Sequence, residues 1–204
     1  MNRDDFAEKA WELFAENKSD YTEDFQKWQE KGHLTEYDNE KDMIETLSQK
    51  FQNQGRIEDR EELYDILYWK LNPRNYKSAK NKSEEKDSIE DIRKASERAF
   101  AVDEAGTSLQ ALTELTGVGP AVASTILMFY KPGKYTVLDQ HAWRAAVDLG
   151  MKGEAKENGF TAKEYAQYND WCHEVLHSLN EEGPQIMNLR QLDKVLHSMG
   201  KQLK

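Results

Sequence analysis

Gly117-Val118-Gly119, then Pro120, and an aspartate twenty residues past the second glycine at Asp139 are the residues here whose types and spacing suit chemistry. Two glycines around one residue permit positive φ and let the backbone approach another surface closely. Proline after them fits the first position of a helix, where its missing N–H would be unpaired anyway. Two helices joined by such a turn aim backbone N–H groups outward at a helix N-terminus, which makes a phosphate-sized anion site. This is a helix-hairpin-helix element, suited to gripping a nucleic-acid backbone without reading bases. Gly117, Val118, Gly119 and Ala121 are its candidate contact residues.

Chain geometry brings Asp139 back to this turn. A helix from Pro120 to Tyr130 runs about 16 Å away from the hairpin. Lys131–Leu138, with Pro132-Gly133 inside it, can return at most ~28 Å. A carboxylate and a phosphate-binding turn then share one end of the domain. An aspartate at the start of a helix is also an ordinary N-cap, and a glycine turn between packed helices needs no ligand.

A rival pattern lies further on. His173-Glu174-Val175-Leu176-His177 matches H-E-x-x-H, two imidazoles one helical turn apart with a glutamate base, and His197 is available as a third ligand. Helical phase disfavours a zinc site. The apolar stripe of this helix is Tyr165, Tyr168, Cys172, Val175, Leu176 and Leu179, and His173 and His177 fall about 125° and 165° from its centre. The expectation is no metal.

The elements that position these residues read as helices. Phe6, Ala10, Trp11 and Phe14 form one stripe, Met43, Ile44, Leu47 and Phe51 a second, and Leu63, Ile66, Leu67 and Trp69 a third that ends before Asn72-Pro73. Residues 75–88 are the most polar stretch and read as a flexible loop. Ser88-x-x-Asp91, Thr107-x-x-Gln110, Thr161-x-x-Glu164 and Asn188-x-x-Gln191 open later helices, the last stopping at Gly200. Only Tyr135–Leu138 looks extended. The fold class is all-α, a bundle of about eight to ten helices.

Composition sets the outer bounds. The 204 residues include 32% charged and 38% hydrophobic residues, a balance that favours helices with solvated outer faces. A single cysteine, Cys172, excludes a disulfide framework, a four-cysteine iron–sulfur cluster and a multi-cysteine zinc site. With no signal peptide and no apolar run near the ~20 residues of a membrane span, a soluble, cytoplasmic protein with no membrane partner is expected. Of the net charge of −10, residues 1–70 carry −9, so the acidity does not preclude a neutral or basic DNA-facing surface elsewhere.

L-T-G-V-G-P-A-V-A at 115–123 with V-L-D-Q-H-A-W-R-A at 137–145 resembles the hairpin and catalytic-aspartate signature of the helix-hairpin-helix base-excision DNA glycosylases. The strong likeness covers residues 109–146, with a weaker one from about 60 to 200. It suggests an acidic helical extension over 1–55 and a glycosylase-like domain over 56–204. The resemblance implies duplex DNA as partner, Gly117, Val118 and Gly119 as the gripping turn, and Asp139 as the catalytic carboxylate. Bifunctional members carry a Schiff-base lysine two residues after the second glycine. Here that position is Ala121, so a monofunctional hydrolase without lyase activity is expected. No cofactor and no iron–sulfur cluster are expected.

Cleaving an N-glycosidic bond builds positive charge on the sugar, which one carboxylate can stabilise. Tyr68, Trp69, Tyr130, His141 and Trp143 are the candidates for a pocket that receives a flipped-out base. Aromatic side chains of this kind also fill cores. The alternative is a non-catalytic hairpin module that binds DNA or protein, with a zinc peptidase a distant third.

Overall fold

The computed structural model describes residues 3–16, 20–184 and 186–203, and among them the chain forms eleven α-helices and no strand. No helix is long and apolar enough to cross a membrane.

Three helices precede the family-like part: α1 (Arg3–Glu16), α2 (Asp20–Glu30) and α3 (Glu40–Gln54). The apolar stripe of α1, with Phe6, Ala10, Leu13 and Phe14 buried, packs against the last helix, and Trp11 fills the space beside Gly183. Met43, Leu47 and Phe51 of α3 are fully buried. Asn39 starts α3 by accepting from the Asp42 N–H, and Gly55 ends it in the left-handed conformation. All of this joins the same hydrophobic core as the rest of the chain.

α4 (Arg60–Lys70) and α5 (Pro73–Lys86) follow. The second corrects the reading of 75–88 as a loop. Asn72 caps the helix by accepting from the Asn75 N–H at 3.0 Å, and Pro73 occupies its first position. Its lysines and glutamates are good helix formers. The sequence there shows no stripe because the helix buries little more than Ala79 and Ser83.

α6 (Ile89–Ala101), α10 (Ala162–Glu182) and α11 (Leu189–Gln202) open at the expected boxes, Ser88–Asp91, Thr161–Glu164 and Asn188–Gln191. α7 (Ala105–Leu112) starts three residues earlier than a cap at Thr107 would have it. Glu104 is its cap, and the carboxylate accepts from the Gly106 and Thr107 N–H groups. α8 (Pro120–Tyr130) is apolar on every side, buried from Val122 to Tyr130, and packs against α3, α4, α7 and α10, so it is the central strut.

α9 (Gln140–Asp148) packs most extensively against α11. Gly200 does not stop α11, as its type suggested, but lies within it. A Cβ there would overlap the His141 carbonyl oxygen, so the glycine lets the two backbones touch.

Candidate active site

The hairpin joins α7 to α8 through residues 113–119. Gly117 takes φ +84, and a Cβ there would stand 3.1 Å from the Ala79 carbonyl oxygen of α5. Val118 is buried, whereas a Cβ on Gly119 would meet nothing within 4 Å. One glycine therefore serves the fold, and the other leaves an open approach to the first turn of α8. Asp87, just past α5, clasps the turn from behind, accepting from the Thr116 N–H and hydroxyl at 2.9 Å each. Beside the turn lies a groove lined by Asn75, Ser78 and Lys82 of α5, Gly119, Ala121 and Phe160.

Residues 135–138 are buried but belong to no helix or sheet, so side chains satisfy several of their backbone groups. Asn169 accepts from the Thr136 N–H at 3.0 Å, the Tyr165 hydroxyl donates to the Thr136 carbonyl at 3.0 Å, and Ser124 accepts from the Leu138 N–H at 2.8 Å. Ser124 also donates to the Ala121 carbonyl at 2.9 Å. That chain of contacts ties the approach to Asp139 to the first turn of α8, next to the hairpin.

Asp139 is the N-cap of α9, its Oδ1 accepting from the His141 N–H at 2.8 Å. It is also more than a cap. His197 of α11 places Nδ1 2.9 Å from the same oxygen, and Lys70, the last residue of α4, brings Nζ to 4.0 Å from Oδ2. Burial pushes this carboxyl up. The His197 hydrogen bond, the Lys70 charge and the His141 N–H outweigh it and hold Asp139 well below the usual carboxylate range. For Lys70 the balance runs the other way: burial depresses the amine, and the opposing pull of Asp139 and Asp193 does not restore it.

Asp193 is engaged by Arg190, which also reaches Glu40 of α3 at 2.7 Å, and Lys194 reaches Glu40 at 2.8 Å. A buried charge network thus backs the Asp139 site.

The remaining residues singled out by the sequence are dispersed. His141 stands beside the site, edge-on to His197 with ring centroids 5.2 Å apart. Trp143 is wholly buried and donates to the Glu154 carbonyl. Tyr130 stacks on Phe100 at 4.0 Å and donates to its carbonyl. Trp69 packs edge-on to Phe129 beneath Arg190. These three side chains are core. Tyr68 lies in a separate aromatic cluster, stacked on His33 at 3.8 Å.

The H-E-x-x-H histidines go different ways, His173 to the Lys134 carbonyl and His177 to Glu181. Among the described residues no three His, Cys, Asp or Glu side chains group to hold a metal. Sequence reasoning missed Lys70 and the place of His197. A lysine inside the apolar run Leu67-Tyr68-Trp69-Lys70-Leu71 was the signal for the first.

A family model described as "Putative 8-oxoguanine DNA glycosylase OGG-like protein" matches residues 56–189. The chain belongs to this OGG-like family. The family lies within the helix-hairpin-helix glycosylase superfamily, and the all-α architecture is DNA-glycosylase-like. Neither the curated proteins nor the solved structures hold a match to the chain. Lys70, the hairpin, Asp139 and His141 fall inside the OGG-like stretch, whereas His197 and α1–α3 lie outside it.

Proposed function

We propose that this protein is a DNA N-glycosylase that hydrolyses the bond between a damaged or mismatched base and its sugar in duplex DNA, with Asp139 as the catalytic carboxylate. The observation that carries this reading is a carboxylate held ionised by His197 and Lys70 and tied through Ser124 to the start of the hairpin helix.

In this mechanism Gly117, Val118, Gly119 and Ala121 seat a backbone phosphate at the N-terminus of α8. Exposed Arg74, Lys77, Lys82 and Lys86 of the neighbouring α5 add the positive charge that an acidic protein needs locally, with Glu84 and Glu85 interrupting that surface. The target base swings out of the stack at a cost of a few kcal/mol, least where it is damaged or mispaired. As it departs, positive charge grows on the sugar. An ionised Asp139 about 4 Å away stabilises that charge by roughly 4 kcal/mol, about three decades of rate. Water is the nucleophile, and the same carboxylate can orient it. Ala121 supplies no amine at the hairpin. The reading treats 56–204 as the glycosylase-like unit and 1–55 as an acidic helical extension, in a protein of DNA repair.

Single-turnover excision on duplexes each carrying one altered or mismatched base, 8-oxoguanine first, tests the proposal. Wild type should release a base from at least one duplex, and Asp139→Asn should slow that release by about 100-fold or more. Salt-sensitive duplex binding with no release from any of them would favour the non-catalytic hairpin module instead.

A further inference from the structure

The bond to Asp139 fixes which nitrogen of His197 carries the hydrogen. An ionised carboxylate only accepts, so Nδ1, 2.9 Å from Asp139 Oδ1, is the donor. In the neutral ring the lone pair therefore sits on Nε2. Among the described residues Nε2 has no hydrogen-bond partner, and the His197 and Asp139 side chains each keep 24% of their exposure, so water reaches the pair. The carboxylate is divided in a matching way. Oδ1 accepts from His197 and from the His141 N–H, whereas Oδ2 meets only Lys70, at 4.0 Å, among the described residues. The ring is also held in place. It stands edge-on to His141, and Gly200, one turn further along α11, lies against the His141 carbonyl.

Resting on the reading above, we infer that His197 is a second catalytic residue, the general base that takes the proton of the attacking water through Nε2 while Asp139 faces the sugar through Oδ2. The C1′–N bond breaks, and its electron pair leaves with the base, which takes a proton from solvent. The water oxygen bonds to C1′, and the water proton passes to Nε2. Asp139 stabilises the imidazolium at Nδ1 until the ring returns that proton to solvent. The sum is one water added across the bond, with no oxidant, reductant or metal in the balance. An imidazole suits the task because it exchanges a proton near neutral pH. The step asks nothing of Lys70 beyond its charge. His197 lies beyond residues 56–189, so this base comes from α11 and not from the stretch that the family model covers.

His197→Asn separates the base from the hydrogen bond. The asparagine amide nitrogen takes about the place of Nδ1 and donates to Asp139, but nothing replaces the Nε2 lone pair. In single-turnover excision on the same lesion duplexes, His197→Asn should be slower than wild type by about 100-fold or more. Its duplex affinity, its melting temperature and the carbon-13 titration of Asp139 should stay at wild-type values. His197→Ala, run as a second variant, should regain about 10-fold in rate when imidazole is added to the buffer.

Excision at the wild-type rate in His197→Asn overturns the general base and leaves His197 a positioning residue, with the glycosylase reading intact. Where asparagine disturbs the fold or the titration, the alanine variant decides, and no gain from imidazole overturns the base as well. No base released by wild type from any duplex removes the glycosylase reading itself, and the role of His197 with it.

Discussion

At the scale of single residues, the site depends on a histidine and a lysine whose relation to Asp139 no local pattern encodes. Asp139 was legible because its distance from the hairpin is short and its place at a helix start is a strong local signal. His197 lies 58 positions away on a different helix, and Lys70 lies upstream on another. Sequence spacing offered His197 only the role of third partner to two histidines that in fact face elsewhere. The His197 bond has a measurable signature. Because the folded carboxyl is depressed, its stabilising contribution is fully present above the ordinary aspartate range, about pH 4, and is lost as pH falls through the lowered value. His197→Ala should bring the Asp139 carboxyl back toward that ordinary range in a carbon-13 titration. It should also cost about 2 kcal/mol at pH 7, a gap that narrows in acid. An unchanged titration would mean that His197 does not hold the carboxylate.

At the scale of elements, amphipathic helices were readable and the two exceptions are instructive. α5 carried no stripe because it lies on the surface with almost nothing to bury, and only its cap and proline announced it. Gly200 read as a stop because glycine usually ends helices, but close contact between α9 and α11 required it inside one. The hairpin and this contact predict opposite results from the same substitution. Gly200→Ala drives a methyl into the His141 carbonyl and should lower the melting temperature by about 5 °C or more. Gly119→Ala meets no protein atom and has φ −83, so it should cost no more than about 1 kcal/mol in a melting experiment. It should nevertheless weaken duplex binding about 10-fold by standing where a phosphate must approach. Unchanged affinity in Gly119→Ala would speak against the hairpin as the DNA grip.

At the scale of the whole molecule, the acidic N-terminal helices are fastened to the family-like remainder by polar contacts that include Glu40 and Tyr37. Glu40 takes Arg190 and Lys194 of α11, and the Tyr37 hydroxyl donates to Asp65 of α4 at 2.9 Å. Burial raises the Asp65 carboxyl to about 6, against the Tyr37 hydrogen bond that pulls it down. A raised folded value stabilises fully below the unfolded one and loses that contribution as pH climbs through 6. Asp65→Asn should therefore stabilise the protein at pH 7.5, by about 1 kcal/mol after solvent screening, and give no gain at pH 4. Melting at the two pH values checks the sign. The same fastening has a consequence for how the protein is made. α11 leaves the ribosome well after the hairpin and Asp139, and it docks against α1 and α9 at once. A nascent chain halted before it would already hold the hairpin and the carboxylate, yet would lack the histidine bonded to that carboxylate. Translation itself thus withholds the completed site until α11 has emerged and docked on elements made long before it.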